Sequence, residues 1–343
     1  MALTIDVIPD PHTPSNFDAP VLQWGLLAPG GIAEKFATAV IEHTGQQIVG
    51  VASRSLARAQ QFAARHNIPS AYGSYKQLVE SPNIDVVYIA APHSEHKALA
   101  LLAIAAGKSV LVEKPFAIHA ADAREIVNAA RSAGVFAMEA MWSRYLPQSD
   151  IVRQLLAAGV IGQPQIVTAD FGFAFAADQR SRMYRPELGG GSLLDMGVYV
   201  VSFASSVLGS PDQVQAVGSI AESGVDTGAG LLLHHPDGSL ALLSSSMQTT
   251  TPVRASIVGT EGRIDVHGPF FMPSALTVHS NDFGSEPLKW RDHTGLSLYD
   301  GLSYEAAALA TYVTAGLVES PLHPLEEVVA VLETLDSARS QLS

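Results

Sequence analysis

The chain has 343 residues, no cysteine, and 33 acidic against 20 basic residues, for a formal net charge of -13. That charge repels nucleic acid and anionic lipid at long range, so neither is an expected partner, and the missing cysteines exclude disulfides, thiolate metal sites and a cysteine nucleophile. Hydrophobic residues make up 47% and charged residues 15%, a globular balance, and the length predicts about two domains.

Residues 1–20, MALTIDVIPDPHTPSNFDAP, hold four prolines and lack a basic start followed by an apolar core. This predicts an extended N-terminal arm rather than a helix or a signal peptide, and with the absence of cysteine it suggests a cytoplasmic protein. From Val21 the stretches VLQWGLLA, GIAEKFATAVIEH, QQIVGVAS, SLARAQQFAARH, DVVYIAAP, HKALALLAIAAG and KSVLVEKP read as β-α-β-α-β-α-β. A helix, AADAREIVNAARSAG, and a strand, VFAMEAMW, extend the series. Continuous apolar strands between helices of 3.6 period predict a doubly wound parallel sheet over residues 21–143, with its ligand crevice at the carboxyl ends of the strands.

Beyond Trp142 the texture changes. After a helix near Ser149–Ala158, the strands QIVTADFGFAF, AGLLLHH, SLALLSSSMQ, ASIVGT and ALTVHS follow with few helices between them, and HHPDGSL carries an Asp-Gly hairpin signal. Helices are expected near Leu194–Leu208, Tyr304–Ala315 and Leu325–Leu342. Residues 144–343 thus predict an α+β domain with a large, mostly antiparallel open sheet, and the whole chain is of the α/β class.

The first strand runs into Ala28-Pro29-Gly30-Gly31-Ile32-Ala33, in the place of a G-x-G-x-x-G/A turn between strand and helix. Gly30 lets backbone approach a pyrophosphate, the helix N-terminus stabilises its charge, and Ala33 allows close helix–strand packing, which marks a Rossmann dinucleotide site. Ala28 replaces the first glycine. The second strand ends in Ser53-Arg54, with Arg58 a turn later and no carboxylate. NAD sites place an acid there for the ribose hydroxyls, whereas a hydroxyl and cations suit a 2′-phosphate, so NADP is expected and NAD is the alternative.

The third and fourth strands complete a family pattern. AAPHSEHKALALLAIAAGKSVLVEKP and, later, RPELGGGSLLDMGVYVV resemble the paired blocks of the Gfo/Idh/MocA oxidoreductases. MWSRYLP, GTEGRIDVHGPFFMP, GLSYEAAAL and SPLHPLEEVVAVLETLDSAR are similar to the branch of dimeric dihydrodiol dehydrogenases and NADP-dependent xylose dehydrogenases. The resemblance implies that Lys114 of Glu113-Lys114-Pro115 is the catalytic lysine, Pro115 a proline often preceded by a cis peptide, and Tyr199 the acid/base. It makes Asp195 a carboxylate of the same site and places Ala91, Pro92, His93, His96 and Glu113 along the cofactor. It also implies a homodimer, or a dimer of dimers, formed through the open sheet.

The chemistry fits these roles. Oxidising a carbinol needs a hydride acceptor and a base for the hydroxyl proton. A free phenol titrates near ~10, and an adjacent ammonium favours its anion. Lys114 supplies such an ammonium and a donor to the substrate oxygen. Asp195 and Tyr199, spaced i, i+4, are expected on one helical face. The glycines at 189–191 are expected to let backbone pass close to the cofactor. Arg144, Tyr145, Phe270 and Phe271 are candidates for the substrate wall. His93, His96, His234 and His235 lack a third ligand at metal spacing, so no metal is expected. A sugar or polyol dehydrogenase leads the functional readings, with a trans-dihydrodiol dehydrogenase beside it. An NAD-dependent glycoside hydrolase and a silent sugar–dinucleotide sensor are readings from other classes.

Overall fold

The computed structural model describes residues 5–176, 178, 180–282 and 284–342, so the first four residues of the expected arm lie outside it. The chain forms two compact units: Pro14–Trp142 with Leu298–Val329, and Met1–Thr13 with Ser143–Ser297 and Ala330–Ser343. The expectation gave all residues after Ser143 to the second domain; Leu298–Val329 instead joins the first.

The first unit runs β1 (Gln23–Leu27), α1 (Gly31–His43), β2 (Gln47–Ala52), α2 (Leu56–His66), β3 (Ser70–Tyr72), α3 (Tyr75–Val79), β4 (Val86–Ile89), α4 (His96–Ala105), β5 (Ser109–Glu113), α5 (Ala120–Ala133) and β6 (Ala137–Ala140). All six strands are parallel, in the order β3-β2-β1-β4-β5-β6. The strand order reverses between β1 and β4, the place where such sheets bind ligands. Every residue of β4 and of β6 is buried, which is why these strands read as unbroken apolar runs. The short β3 and α3 carry no sequence pattern long enough to announce them.

The second unit contains α6 (Pro147–Ala157), β7 (Pro164–Gly172), α7 (Val198–Leu208), β8 (Gln213–Ile220), β9 (Asp226–His234), β10 (Leu240–Ser246), β11 (Ala255–Gly259), β12 (Gly262–Val266), β13 (Ala275–Ser280) and β14 (Leu288–Arg291). Its eight strands lie in the order β14-β13-β12-β11-β7-β10-β9-β8 and are antiparallel except for β7 against β10. The Asp237-Gly238 turn joins β9 to β10 as a hairpin, with Gly238 at φ 86°. Alternation sets the two faces: Val167, Ala241, Leu243, Leu231 and Leu233 are buried, while Ile166, Leu242, Leu232 and Val217 stand exposed on the other side.

Two later helices follow, α8 (Leu302–Thr314) and α9 (Leu325–Gln341). Helix α8 rests on α1, with Ala307 and Ala310 packed beside Ala19, and Asn16 Nδ2 donates to Ser303 Oγ at 2.8 Å. Small side chains on α8 allow this close approach, and that packing returns Leu298–Val329 to the first unit.

Candidate active site

In the first unit the turn after β1 has the geometry its sequence suggests. Ala28 takes φ 63°, the left-handed conformation that the replaced glycine adopts without strain. Gly30 caps α1 from extended backbone, and its carbonyl accepts the Glu34 amide at 3.0 Å. A Cβ built on Gly30 reaches only the Ala28 carbonyl, at 3.8 Å, and one on Gly31 meets nothing within 4 Å. Open space in front of the first turn of a 13-residue helix fits a dinucleotide pyrophosphate. Ile32 is half-buried and Ala33 fully buried beneath this turn.

At the end of β2, Ser53 is buried and its Oγ accepts the Ser55 amide at 3.2 Å, while Ser55 caps α2 through the Arg58 amide. Arg54 and Arg58 are exposed, and both oppose the upward push that burial gives the Tyr75 phenol, so their charges converge on one region. Glu95 also acts on the Tyr75 phenol, in the opposite sense, so a carboxylate shares that region; the end of β2 itself contributes the Ser53 hydroxyl and the Arg54 and Arg58 cations, donors that fit a 2′-phosphate.

The ends of β4 and β5 are bound together. His96 is fully buried, with Nδ1 2.9 Å from the Pro115 carbonyl and Nε2 2.9 Å from the Ala91 carbonyl. His93 is buried edge-on to that ring, at 5.6 Å between centroids. Pro92, next to Ala91, is half-buried. The Lys114–Pro115 peptide is cis. Lys114 is half-buried, and the Glu113 carboxylate beside it accepts the Tyr88 hydroxyl on Oε1 and the Lys114 amide on Oε2. Burial pushes the Glu113 carboxyl up to about 7, against the Tyr88 hydrogen bond and the Lys114 charge.

In the second unit the segment Leu193–Gly197 forms one π-helical turn before α7. Asp195 Oδ1 accepts Arg182 Nη2 at 2.8 Å. Tyr199 is buried among aromatic rings, 4.8 Å from Phe271 and 5.5 Å from Phe171, and those two stack at 4.5 Å. Phe270 lies edge-on to Phe271.

Arg144 is buried and clamps α7: Nε donates to Ser202 Oγ at 3.1 Å and Nη2 to the Ser202 carbonyl at 2.7 Å. Tyr145 beside it is also buried. Ser202 lies three residues past Tyr199, so Arg144 fixes the helix that presents the phenol.

Two glycines of the run at 189–191 make room for the protein's own atoms. A Cβ on Gly190 would lie 2.6 Å from the Met183 carbonyl, and one on Gly191, at φ 113°, 2.2 Å from Asp226 Oδ1. Protein atoms already occupy the space that a side chain at Gly190 or Gly191 would need. Asp226 also takes the Ser192 hydroxyl at 2.6 Å and the Leu193 amide at 2.7 Å on Oδ2. It had no sequence signal, because its partners are more than 30 residues away. Tyr88, Arg182 and Asp226 are the residues that sequence reasoning missed. Among the described residues no group of three or more His, Asp or Glu side chains has metal-binding geometry.

Family models match both parts of the chain: an oxidoreductase family with an NAD-binding Rossmann fold over residues 23–141, and a GFO/IDH/MocA C-terminal domain over residues 150–265. The chain is 38% identical to mouse trans-1,2-dihydrobenzene-1,2-diol dehydrogenase over 327 residues, covering 94% of this chain and 97% of that one. A 3-ketoreductase from Actinomadura kijaniata, solved with NADP and TDP-benzene, superposes with a TM-score of 0.81 at 26% identity, over 94% of this chain and 98% of that one. Levoglucosan dehydrogenase, solved with NADH and levoglucosan, shares the fold at a TM-score of 0.85 and 19% identity, over 94% and 97% of the two chains. A glycine turn open in front of α1, a lysine at the end of β5, and an identity of 38% along nearly the full length place this chain in the Gfo/Idh/MocA family of nicotinamide-dependent oxidoreductases.

Proposed function

We propose that the protein is an NADP-dependent dehydrogenase that oxidises one carbinol of a cyclic vicinal diol, with trans-dihydrodiols as the preferred class. The observation that carries the reading is the end of β2, where Ser53, Arg54 and Arg58 offer a hydroxyl and two cations and no acid. Such a set favours a 2′-phosphate over free ribose hydroxyls. The ring cluster around Tyr199 supports an unsaturated hydrocarbon ring as substrate, since flat apolar faces match it better than a ring hydroxylated at every carbon. The mouse relative's name supports the same class. Cyclic sugars and polyols form the second reading, which the ketoreductase and the levoglucosan enzyme support by likeness.

A nicotinamide cofactor, when bound, supplies the hydride acceptor. The chain supplies the rest. Gly30, Gly31 and the α1 N-terminus hold the pyrophosphate; Ala91, Pro92 and His93 line the nicotinamide side, with His96 and Glu113 holding the loops behind it. Lys114 donates to the carbinol oxygen, and Tyr199 takes its proton. Phe271 and Tyr145 wall the ring, Arg144 steadies α7, and Asp195 orients Arg182 toward substrate hydroxyls. Initial rates with both cofactors against trans-dihydrodiols, aldoses and inositols test the reading. The highest kcat/KM is expected for a trans-dihydrodiol with NADP⁺; tighter binding of NAD⁺ contradicts the cofactor assignment. Release of a free sugar from a glycoside without net reduction would move the protein to the hydrolase class.

The same reading pairs two copies through the exposed face of the eight-stranded sheet. Ile166, Leu232, Leu242 and Val217 share that face, and such an apolar patch calls for cover. Light scattering at micromolar concentration is expected to give a dimer or a dimer of dimers; a monomer contradicts it.

A further inference from the structure

Behind Lys114 the first unit buries three carboxyl groups that the proposed chemistry does not use: Glu113 on β5, Glu139 on β6 and Glu305 on α8. Two are fully supplied with donors. Glu113 takes the Tyr88 hydroxyl and the Lys114 amide, one on each oxygen. Glu139 takes the Phe116 amide at 2.8 Å on Oε1 and faces His323 Nε2 at 2.8 Å on Oε2. Glu305 has 0% exposure, and among the described residues neither of its oxygens has a hydrogen-bond partner. A buried carboxylate with no donor beside two others is far costlier than a neutral acid, so Glu305 is the member that carries a proton. Glu113 and Glu139 both push its proton affinity up, after burial.

Tyr88 is fully buried and held in place by Phe36 of α1, whose ring stacks on it at 3.8 Å. Its hydroxyl therefore reaches Glu113 from a fixed ring. The groups facing Glu113 are Tyr88 from β4, Lys114 from its own chain end, Glu139 from β6 with His323 behind it, and Glu305 from α8.

We propose that Tyr88, acting through Glu113, is a positioning residue for Lys114, and that Glu305 holds the cluster's proton so that Glu113 stands as the carboxylate that anchors the Lys114 amide and faces its ammonium. The proposal rests on the dehydrogenase reading, and it adds Tyr88 and Glu305, which that reading assigns to neither substrate nor cofactor. Turnover then needs Glu113 ionised, so kcat falls as pH drops through about 7. Replacing Tyr88 removes a hydrogen bond that favours the carboxylate, which moves that limb to higher pH.

The test uses full-length Tyr88→Phe, Glu113→Gln and Glu305→Gln. Tyr88→Phe keeps the ring and the stack. It is expected to lower kcat on the order of tenfold, with the cofactor KM nearly unchanged, and to shift the acidic limb up by about half a pH unit or more. Glu113→Gln should remove the limb. Glu305→Gln should leave the limb in place. A carboxyl whose folded pKa is raised contributes its full stability below its unfolded value and loses it as pH rises toward the folded value. The melting temperature of Glu305→Gln should therefore gain on wild type as pH rises above 4.5. Wild-type limb position and kcat in Tyr88→Phe, or a loss that only tracks the folded fraction, overturn the proposal. So does a pH-independent melting difference for Glu305→Gln. If the wild type turns over no diol or sugar with either cofactor, the dehydrogenase reading fails by itself. Amide hydrogen exchange across residues 113–116 then decides the positioning claim: faster exchange in Tyr88→Phe upholds it, and an unchanged rate refutes it.

Discussion

Two glycine-rich segments, Ala28-Pro29-Gly30-Gly31 in one unit and Gly189-Gly190-Gly191 in the other, look alike in composition and do opposite things. In the first, side chains are missing where nothing else stands: added Cβ atoms at Gly30 and Gly31 meet no clash. In the second they are missing because the Met183 carbonyl and the Asp226 carboxylate already fill the space. A glycine in a sequence thus signals close approach without saying whether a ligand or the protein itself approaches. The neighbours decide, and four substitutions separate the cases.

Gly191→Ala carries the largest expected cost, about 3 kcal/mol or more, because φ 113° strains any side chain and its Cβ lies 2.2 Å from Asp226 Oδ1. Chemical denaturation measures it. Asp226→Ala comes next at about 2–3 kcal/mol, from the Ser192 hydroxyl and the Leu193 amide left without their acceptor. The double variant sharpens the comparison: with the carboxylate gone the clash is relieved, so its loss should fall short of the sum of the two single losses by about 1 kcal/mol or more. Additive losses would mean that Gly191 answers only to its backbone angle.

Gly30→Ala reverses the pattern. Its φ of -116° suits any residue, so stability should change by about 0.5–1 kcal/mol, while NADP⁺ affinity falls about tenfold as the methyl group enters the pyrophosphate space. Fluorescence titration and a thermal melt on one sample check both halves. Smallest is Ala28→Gly, expected to stabilise by about 0.5 kcal/mol through relief of φ 63°, offset in part by the unfolded chain's greater freedom. A loss of stability there would mean that the Ala28 methyl group packs well enough to outweigh its strain.

Much of this molecule was legible from residues alone. Unbroken apolar strands announced the parallel sheet, successive strands with few helices between them announced the open one, and Asp237-Gly238 announced its hairpin, because each signal is local. The blocks around Glu113-Lys114-Pro115 and GGGSLLD, which carry the family likeness, were legible because they are local too. What escaped depends on distance or on a single residue. The return of α8 to α1 is tertiary packing between Ala-rich faces. The π-helical turn at Leu193–Gly197 inserts one residue without disturbing an apolar pattern, so nothing local announced it. Tyr88 looked like one more apolar strand residue, and Glu305 like one more helix-surface acid. Only the fold shows them buried around Glu113.

The central claim, a dehydrogenase that uses NADP⁺ and needs Lys114, is tested most directly by the rate of nicotinamide reduction when the purified protein meets a trans-dihydrodiol. Reduction that is faster with NADP⁺ than with NAD⁺ at equal concentration, and that drops by about two orders of magnitude or more in Lys114→Ala, is the predicted result. Reduction that survives in Lys114→Ala, or its absence with both cofactors, would contradict the account.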